Sequence, residues 1–183
     1  MNTTNWKIAA RSKQKLVQAL LVLMRQYDYK EITVTQIAQE SRLSRRTFYR
    51  LFSDKDEILA LFFEELFQTC FTQIKARKVR HYWDVVQLFF DFWEERRDLL
   101  CLLQKNDLLQ RVFAQSYQYS MQVFEFVRSK ETADAFSLPL PYMLAYSVGG
   151  MHSMLLKWAE TGMNVPSAEL ISKLRLGFMS DSI

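Results

Sequence analysis

The stretch that decides the fold is Thr33–Lys55, with the sequence TVTQIAQESRLSRRTFYRLFSDK. Thr33 and Gln36 have the spacing of a capping box, in which each side chain satisfies a backbone N–H group that the first turn of a helix leaves unpaired. Ser44 is the predicted N-cap of a second helix, because its hydroxyl oxygen can accept from backbone N–H groups two and three residues on. The stretch therefore predicts two short helices that are joined by a tight turn.

The second of these helices is predicted to have two different faces. At about 100° per residue, Phe48, Leu51 and Phe52 fall in one narrow arc, which needs a neighbour to pack against. A helix face with three arginines is by itself most often a solvated surface. The capped partner helix and the mixture of Arg with Tyr and Thr instead favour a helix that enters the major groove of DNA. The opposite arc carries Arg45, Arg46, Tyr49 and Arg50.

The positive charge of the chain is concentrated around this stretch. Residues 1–55 contain eleven Lys and Arg against four Asp and Glu, whereas residues 56–183 contain thirteen against sixteen. A cationic head on a neutral-to-acidic body is the charge distribution expected of a nucleic-acid-binding head. Lys55 lies in the first turn of the next helix, where a cation is unfavourable. A bound DNA phosphate would remove this conflict, and so would the neighbouring acidic residues Asp54, Asp56 and Glu57.

The run Ile32–Leu59, ITVTQIAQESRLSRRTFYRLFSDKDEIL, resembles the N-terminal signature of TetR/AcrR-family transcriptional regulators. The matching motifs are Thr-Val, Ile-Ala, a turn that ends in an apolar residue and Ser, Thr-Phe-Tyr-x-x-Phe, and Lys-x-x-Ile-Leu. The sequence departs from the family at Arg42, where the family most often has Gly, so Arg42 has to adopt a backbone conformation that Gly takes more readily. The segment from Asp98 through Trp158 to Pro166 is similar to a TetR C-terminal subgroup found in Gram-positive bacteria.

The resemblance implies a DNA-binding surface on the helix-turn-helix. Phosphate-positioning roles are implied for Ser44, Thr47, Tyr49 and Lys55. Base-edge contacts are implied for Thr35, Arg45, Arg46 and Arg50. Thr33 and Arg42 complete the predicted DNA-binding set, with Arg42 as an extra phosphate contact.

The rest of the chain is predicted to be helical. All four glycines and all three prolines lie after residue 138, so the earlier part lacks the usual turn residues of hairpins and sheets. The predicted fold is all-α, with an N-terminal three-helix DNA-binding head and a C-terminal helical bundle for ligand binding and dimerisation. The predicted domain limits are 1–55 and 56–183. Periodicity predicts helices over about 6–27, 55–76, 81–97, 99–103, 107–129, 139–162 and from 167 onward.

The predicted C-terminal bundle is unusually rich in aromatic residues and methionine. Such a stripe at helical spacing is more often ordinary core. The alternative is a cavity between helices for a small apolar or aromatic effector. For this cavity we predict Phe62, Phe89, Trp93, Phe113, Tyr117 and Met121.

Gly149 and Gly150 lie in the middle of the penultimate helix, where each costs roughly 1 kcal/mol relative to Ala. A close approach to their backbone would explain them. It could come from a second subunit, or from a kink or tight packing within one chain. The resemblance implies that the last two helices form a homodimer interface. The interface residues predicted are Tyr146, Gly149, Gly150, Met154, Trp158, Leu170 and Leu174.

Other functional classes find little support in the sequence. It has no glycine-rich phosphate loop, nucleophile elbow or carboxylate pair of catalytic spacing, so we predict no catalytic residue and no enzyme activity. His81 and His152 lack a partner at metal-ligand spacing, and Cys70 and Cys101 are expected to be buried, inert thiols. We therefore predict neither a metal site nor a cofactor.

The sequence also predicts where the protein acts. No run approaches the ~18 uninterrupted apolar residues of a membrane span, and the first residues do not resemble a secretion signal. We predict a cytoplasmic, homodimeric repressor that binds double-stranded operator DNA and is released by a small-molecule effector. The alternative is a TetR-like activator, or a regulator that is controlled by a protein partner instead of a small ligand.

Overall fold

The computed structural model describes residues 3–79, 81–127 and 139–179, which form α-helices and one short 3-10 helix and contain no strand. The predicted all-α fold is confirmed, and the predicted helices are present with small shifts of their ends. Residues 128 and 129 of the predicted helix 107–129 lie outside the described residues. The elements are α1 (Thr3–Gln26), η1 (Tyr29–Glu31), α2 (Val34–Glu40), α3 (Arg45–Leu51), α4 (Lys55–Ala76), α5 (Tyr82–Glu94), α6 (Arg97–Lys105), α7 (Leu109–Val127), α8 (Leu140–Glu160) and α9 (Ser167–Met179).

The chain forms two compact units that divide between Leu66 and Phe67, inside α4. The N-terminal unit contains α1, η1, α2, α3 and the first part of α4. The C-terminal unit contains the rest of α4 and the helices that follow it. The predicted domain limits, 1–55 and 56–183, place the boundary at the start of α4 and stay a prediction.

An apolar stripe on α1 forms the centre of the N-terminal unit. Leu16, Leu20 and Met24 are fully buried on this stripe, and both α2 and α3 pack on α1. Ile8, near the start of α1, is exposed. The core of this unit is therefore built from the later part of α1.

The helices of the C-terminal unit pack mainly in two pairs, α7 with α8 and α5 with α9, and α6 contacts both α5 and α8. Trp158 on α8 is only 4% exposed, and its ring centroid lies 5.6 Å from that of Phe90 on α5. Its indole Nε1 donates to the carbonyl oxygen of Val165 at 2.8 Å. The side chain of Trp158 is thus used inside its own chain, and its assignment to a dimer interface stays a prediction.

The two cysteines differ in their surroundings. Cys70 is buried, and burial raises the pKa of its thiol to about 12, so it is expected to be inert as predicted. Cys101 is exposed, which corrects the prediction that both thiols are buried. The reason lies in the turn of α6, whose fully buried residues are Leu100 and Leu103. Cys101 follows Leu100 by one position and points about 100° away from it.

Four helices end in the same way, with a left-handed residue shortly after the helix. These residues are Arg42 (φ 55°), Lys78 (φ 52°), Asp107 (φ 58°) and Gly162 (φ 72°). Each donates its N–H to the carbonyl three residues back, and the next residue donates to the carbonyl five residues back. This is the Schellman pattern, which favours Gly at the left-handed position. Three of these four ends therefore carry a residue that is strained there.

Replacing Lys78 by Gly should raise the free energy of unfolding by about 0.5–1 kcal/mol. A non-Gly residue loses more free energy in the left-handed backbone conformation than Gly loses through the greater conformational entropy of the unfolded chain. Asp107→Gly should gain less, since Asp tolerates this region better. Urea denaturation followed by circular dichroism measures both changes. Lys78→Ala is the control, because it removes the charge and keeps the Cβ atom. An equal gain from Lys78→Ala would contradict the backbone explanation.

Candidate nucleic-acid interface

The start of α2 has the geometry that its sequence predicts. The backbone N–H of Thr33 donates to Oε1 of Gln36 at 2.8 Å, and the N–H of Gln36 donates to Oγ1 of Thr33 at 3.3 Å, so the capping box is confirmed. The Thr33 hydroxyl also donates to Oε1 of Gln36 at 2.8 Å. Because a phosphate oxygen only accepts, Thr33 would have to release Gln36 to donate to one. Thr35, in the first turn, is exposed.

The turn between α2 and α3 is held by backbone hydrogen bonds. The N–H of Arg42 donates to the carbonyl of Gln39 at 3.0 Å, and that of Leu43 donates to the carbonyl of Ala38 at 2.9 Å. Arg42 has φ 55°, so the predicted demand for a left-handed backbone is confirmed. Its side chain is exposed. The turn thus carries a cation where the pattern favours Gly.

α3 begins and packs as predicted. Oγ of Ser44 accepts from the N–H of Thr47 at 3.0 Å, which confirms Ser44 as the N-cap, and the two hydroxyl oxygens lie 2.9 Å apart. Phe48 is fully buried and Phe52 is nearly so, while Leu51 is half-buried. The predicted inward arc is therefore the face that holds α3 in the N-terminal unit.

The outward face of α3 is cationic and exposed. Tyr49 is exposed, and its ring packs edge-on against that of Phe48 with centroids 5.3 Å apart. Within the described part of the chain, no carboxylate forms an ion pair with the arginines of this face or with Arg42. Unpaired guanidinium groups in such a cluster attract a polyanion, and they can donate to phosphates and to base edges. The exposed residues of this face are Arg45, Arg46, Tyr49 and Arg50.

Backbone carbonyls surround the ammonium group of Lys55. Its Nζ donates to the carbonyl oxygens of Tyr29, Lys30 and Ile32 at 2.6, 2.9 and 2.8 Å. An ammonium group has three N–H donors, so these carbonyls can satisfy it within the chain. They also offset its positive charge at the start of α4. The assignment of Lys55 to a DNA phosphate stays a prediction.

The sequence analysis missed the role of Tyr29 near Lys55. Tyr29 is 5% exposed, and its hydroxyl donates to Oδ1 of Asp56 at 2.6 Å. The short helix η1, which contains Tyr29, was also not predicted. The available signal was Lys55 itself, since a cation at the start of a helix needs nearby acceptors.

The N-terminal unit thus has a helix-turn-helix whose second helix presents an exposed cationic face, which is the architecture of a DNA-binding protein. Residues 16–61 match the sequence model of the family described as bacterial regulatory proteins, tetR family. No curated protein matches the chain. The match spans α2, α3 and the parts of α1 and α4 that hold them. Residues 16–61 thus form a DNA-binding domain of the tetR-family type, and the chain is a DNA-binding transcriptional regulator. Its similarity to the Gram-positive subgroup stays a prediction.

The residues predicted for an effector site are divided between the two units. Phe62 lies in the N-terminal unit, and the other five lie in the C-terminal unit. The rings of Phe89 and Trp93 on α5 have centroids 6.5 Å apart. Tyr117 and Met121 on α7 are exposed rather than directed into a core. The effector site stays a prediction.

Two buried polar atoms in the C-terminal unit have no hydrogen-bond partner among the described residues. They are Nε1 of Trp93 and Nε2 of His152. The His152 ring packs on Phe113 with centroids 4.6 Å apart, and burial lowers the pKa of this imidazole below its usual value. His152 is therefore expected to be neutral at pH 7. Its ring and that of Phe113 join α8 to α7.

A groove of about 470 Å³ lies beside the end of α4 and the start of α5. It is polar and charged, and it includes none of the six residues predicted for the effector. Its lining consists of Arg77, Lys78, Val79, His81, Asp84, Gln87, Leu88 and Asp91. Across residues 3–79, 81–127 and 139–179, no group of three or more His, Cys, Asp or Glu side chains is arranged to hold a metal ion. None of the helices described there combines the length and apolar content that a membrane crossing needs.

Arg46→Ala should relax the preference for one base position by about 1–3 kcal/mol if the guanidinium contacts a base edge. Binding to a panel of duplexes with single-base changes measures this preference. Arg25→Ala is the charge-matched control, because Arg25 is exposed at the end of α1 and outside the helix-turn-helix. An equal loss of affinity across the whole panel would instead make Arg46 a phosphate contact.

Proposed function

We propose that this regulator is a homodimeric repressor that binds a pseudo-palindromic operator and is released by a small apolar or aromatic effector. The observation that carries the proposal is an exposed face of α8, which offers a surface for a second subunit. A dimer would place two copies of α3 in successive major grooves, about 34–36 Å apart. The exposed arginines of α3 supply the cationic surface that each half-site needs.

The face of α8 combines exposed aromatic side chains with exposed backbone. Tyr142 and Tyr146, one helical turn apart, are each 67% exposed. Gly149 and Gly150 continue this face by one more turn. A Cβ atom built at either glycine would meet nothing within 4 Å in the part of the chain that the structure describes, beyond adjacent residues and the same helix's backbone. Among the described residues, tight packing within one chain therefore does not account for the glycines, and this supports the close approach of a second α8.

α9 supports the same surface. Leu170 and Leu174 are half-buried, and Leu176 is exposed on this helix. The start of α9 is fixed to α5 through Ser167, whose buried Oγ lies 2.7 Å from carboxylate oxygens of both Asp91 and Glu94. A helix that is fixed at one end and exposes a leucine near the other is suited to an isologous, two-fold contact.

Gly150→Trp should convert the dimer to a monomer, because its indole would occupy the space into which the partner helix approaches. The fold should persist, since the space beside Gly150 is open in one chain. Sedimentation equilibrium measures the mass, and circular dichroism checks the helix content. Ala114→Trp is the matched control, at an exposed position of α7, and should remain dimeric. A Gly150→Trp protein that stays dimeric would overturn this interface.

The repressor function is tested by selecting bound sequences from a random DNA pool. The selected sequences should be pseudo-palindromic, with half-sites one helical turn apart. A panel of small aromatic compounds is then screened for thermal stabilisation, which grows with ligand concentration above Kd. An effector should also release the selected duplex, and the duplex placed over a promoter should lower transcription in a purified system. Increased transcription on binding would contradict repression.

The second candidate is control by a protein partner, which is favoured by the exposure of Tyr117 and Met121 on α7. Aromatic residues and Met are enriched in protein interfaces. If no compound stabilises the protein while a stable complex with another protein forms through α7, this second function replaces release by a small effector. Substituting Tyr117 and Met121 together by Ser should then abolish the complex.

A further inference from the structure

We propose that the groove beside the end of α4 and the start of α5 is a binding site for a free α-amino acid with an aliphatic side chain. We call it the polar groove, and its lining is that given above for the 470 Å³ groove. It lies within the C-terminal unit. The inference does not depend on DNA binding, repression, dimerisation or an apolar effector, so those proposals and this one can fail separately.

Two segments of the chain bring opposite charges to the polar groove. The end of α4 and the residues after it contribute Arg77 and Lys78. One face of α5 contributes Asp84 and Asp91, which lie seven positions and therefore about two helical turns apart. The Lys, Arg, Asp and Glu side chains of the lining thus sum to no net charge. A ligand with one kind of charge would be attracted by one segment and repelled by the other, whereas a zwitterion is attracted by both.

The carboxylate of Asp91 is fixed through one of its two oxygens. Its Oδ1 accepts from Nε2 of Gln87 at 2.7 Å and lies 2.7 Å from Oγ of Ser167. Its Oδ2 lies 3.9 Å from a guanidinium nitrogen of Arg77, which is too long for a hydrogen bond. Asp91 is therefore held in place while Oδ2 keeps the capacity to accept from the ammonium group of a ligand.

Arg77 can bind the other end of the same ligand. Its side chain is 57% exposed, and an exposed ion pair at this distance from Asp91 contributes little to stability. The guanidinium group can therefore turn away from Asp91 and donate two parallel hydrogen bonds to a carboxylate. An α-amino acid carries its carboxylate and its ammonium group on the same carbon atom. These two groups match a cation and a carboxylate that are close neighbours in the polar groove.

The polar groove also has an apolar part. Val79 and Leu88 belong to its lining, and both side chains are buried. An aliphatic ligand side chain can cover such a surface, which is favourable because apolar area is removed from water. The volume of about 470 Å³ lies in the range of about 300–1,000 Å³ that is typical of small-molecule sites. The size and the mixed lining therefore favour an amino acid with a side chain like that of leucine.

A bound amino acid would connect three helices of the C-terminal unit. Arg77 follows the end of α4, Asp91 lies on α5, and Asp91 contacts Ser167, the first residue of α9. A ligand that binds only the folded protein raises its stability in proportion to the logarithm of ligand concentration above Kd. We therefore expect L-leucine to raise the unfolding temperature of the protein.

The test uses the full chain and compares three compounds of similar shape. L-leucine has both charged groups, isocaproate lacks the ammonium group, and isoamylamine lacks the carboxylate. Isothermal titration calorimetry should give a Kd of about 1 mM or tighter for L-leucine. The other two compounds should bind at least roughly tenfold more weakly, because each loses charged hydrogen bonds to one segment of the polar groove. Amide NMR shifts caused by L-leucine should centre on residues 77–91.

Two variants test the charged segments separately. Arg77→Gln and Asp84→Asn change exposed side chains, so the fold should persist in both. Each should weaken the binding of L-leucine roughly tenfold, because a charged partner is lost. The matched controls are Arg175→Gln and Asp98→Asn, at exposed positions outside the polar groove, and both should keep wild-type affinity.

Three results would overturn the proposal. The first is no heat of binding and no amide shift with L-leucine at millimolar concentrations. The second is equal affinity for isocaproate or isoamylamine, because the site would then not recognise a zwitterion. The third is wild-type affinity in Arg77→Gln together with amide shifts centred elsewhere, which would place the amino acid at another site of the protein.

Discussion

The seven residues of α3 are too few to form a stable helix in water, so what α3 presents to DNA depends on its tertiary contacts. α3 packs on α1 and α2, and its fully buried side chain is that of Phe48. One face of α3 is therefore used for packing, and the other is left for cations. Because α3 turns by about 100° per residue, this division also decides which arginines face outward.

The cations of the N-terminal unit have different roles, although composition treats them alike. The arginines of α3 have no carboxylate partner in the described part of the chain, so their charge is available to a polyanion. Lys55 donates to three backbone carbonyls and so stabilises the segment before α2. Arg42 occupies a left-handed position at the end of α2. A helix-turn-helix with so little glycine thus combines a cationic surface with some backbone strain.

The C-terminal unit shows the same contrast between side chains that are used inside the chain and side chains that are exposed. Trp158 is held by Phe90 and by the carbonyl of Val165. Tyr142 and Tyr146, earlier on the same helix, are exposed. The aromatic residues of α8 are therefore exposed in the first half of the helix and buried in the second half. The apolar spacing of α8 alone does not predict which of them are buried.

Helix starts, the turn and the inward face of α3 could be predicted from local sequence, because a capping box or an N-cap involves residues within three positions of each other. Thr33 with Gln36 and Ser44 with Thr47 are contacts of this kind. The arc of Phe48 and Phe52 follows from helical geometry alone. The strain at Arg42 could also be predicted, since the Schellman end of α2 requires a left-handed residue there.

Other features depend on contacts between residues that are distant in the chain. The carbonyl partners of Lys55 lie 23 to 26 positions away in the sequence. A rule about charge at helix ends cannot predict contacts with carbonyl groups from another part of the chain. Trp158 is buried and Cys101 is exposed. This difference depends on whether another helix packs against the helix face that carries the residue. Local hydrogen bonds and helical periodicity thus determine the elements of this protein and their polarity. The role of an individual side chain is settled only when the packed helices bring its neighbours together.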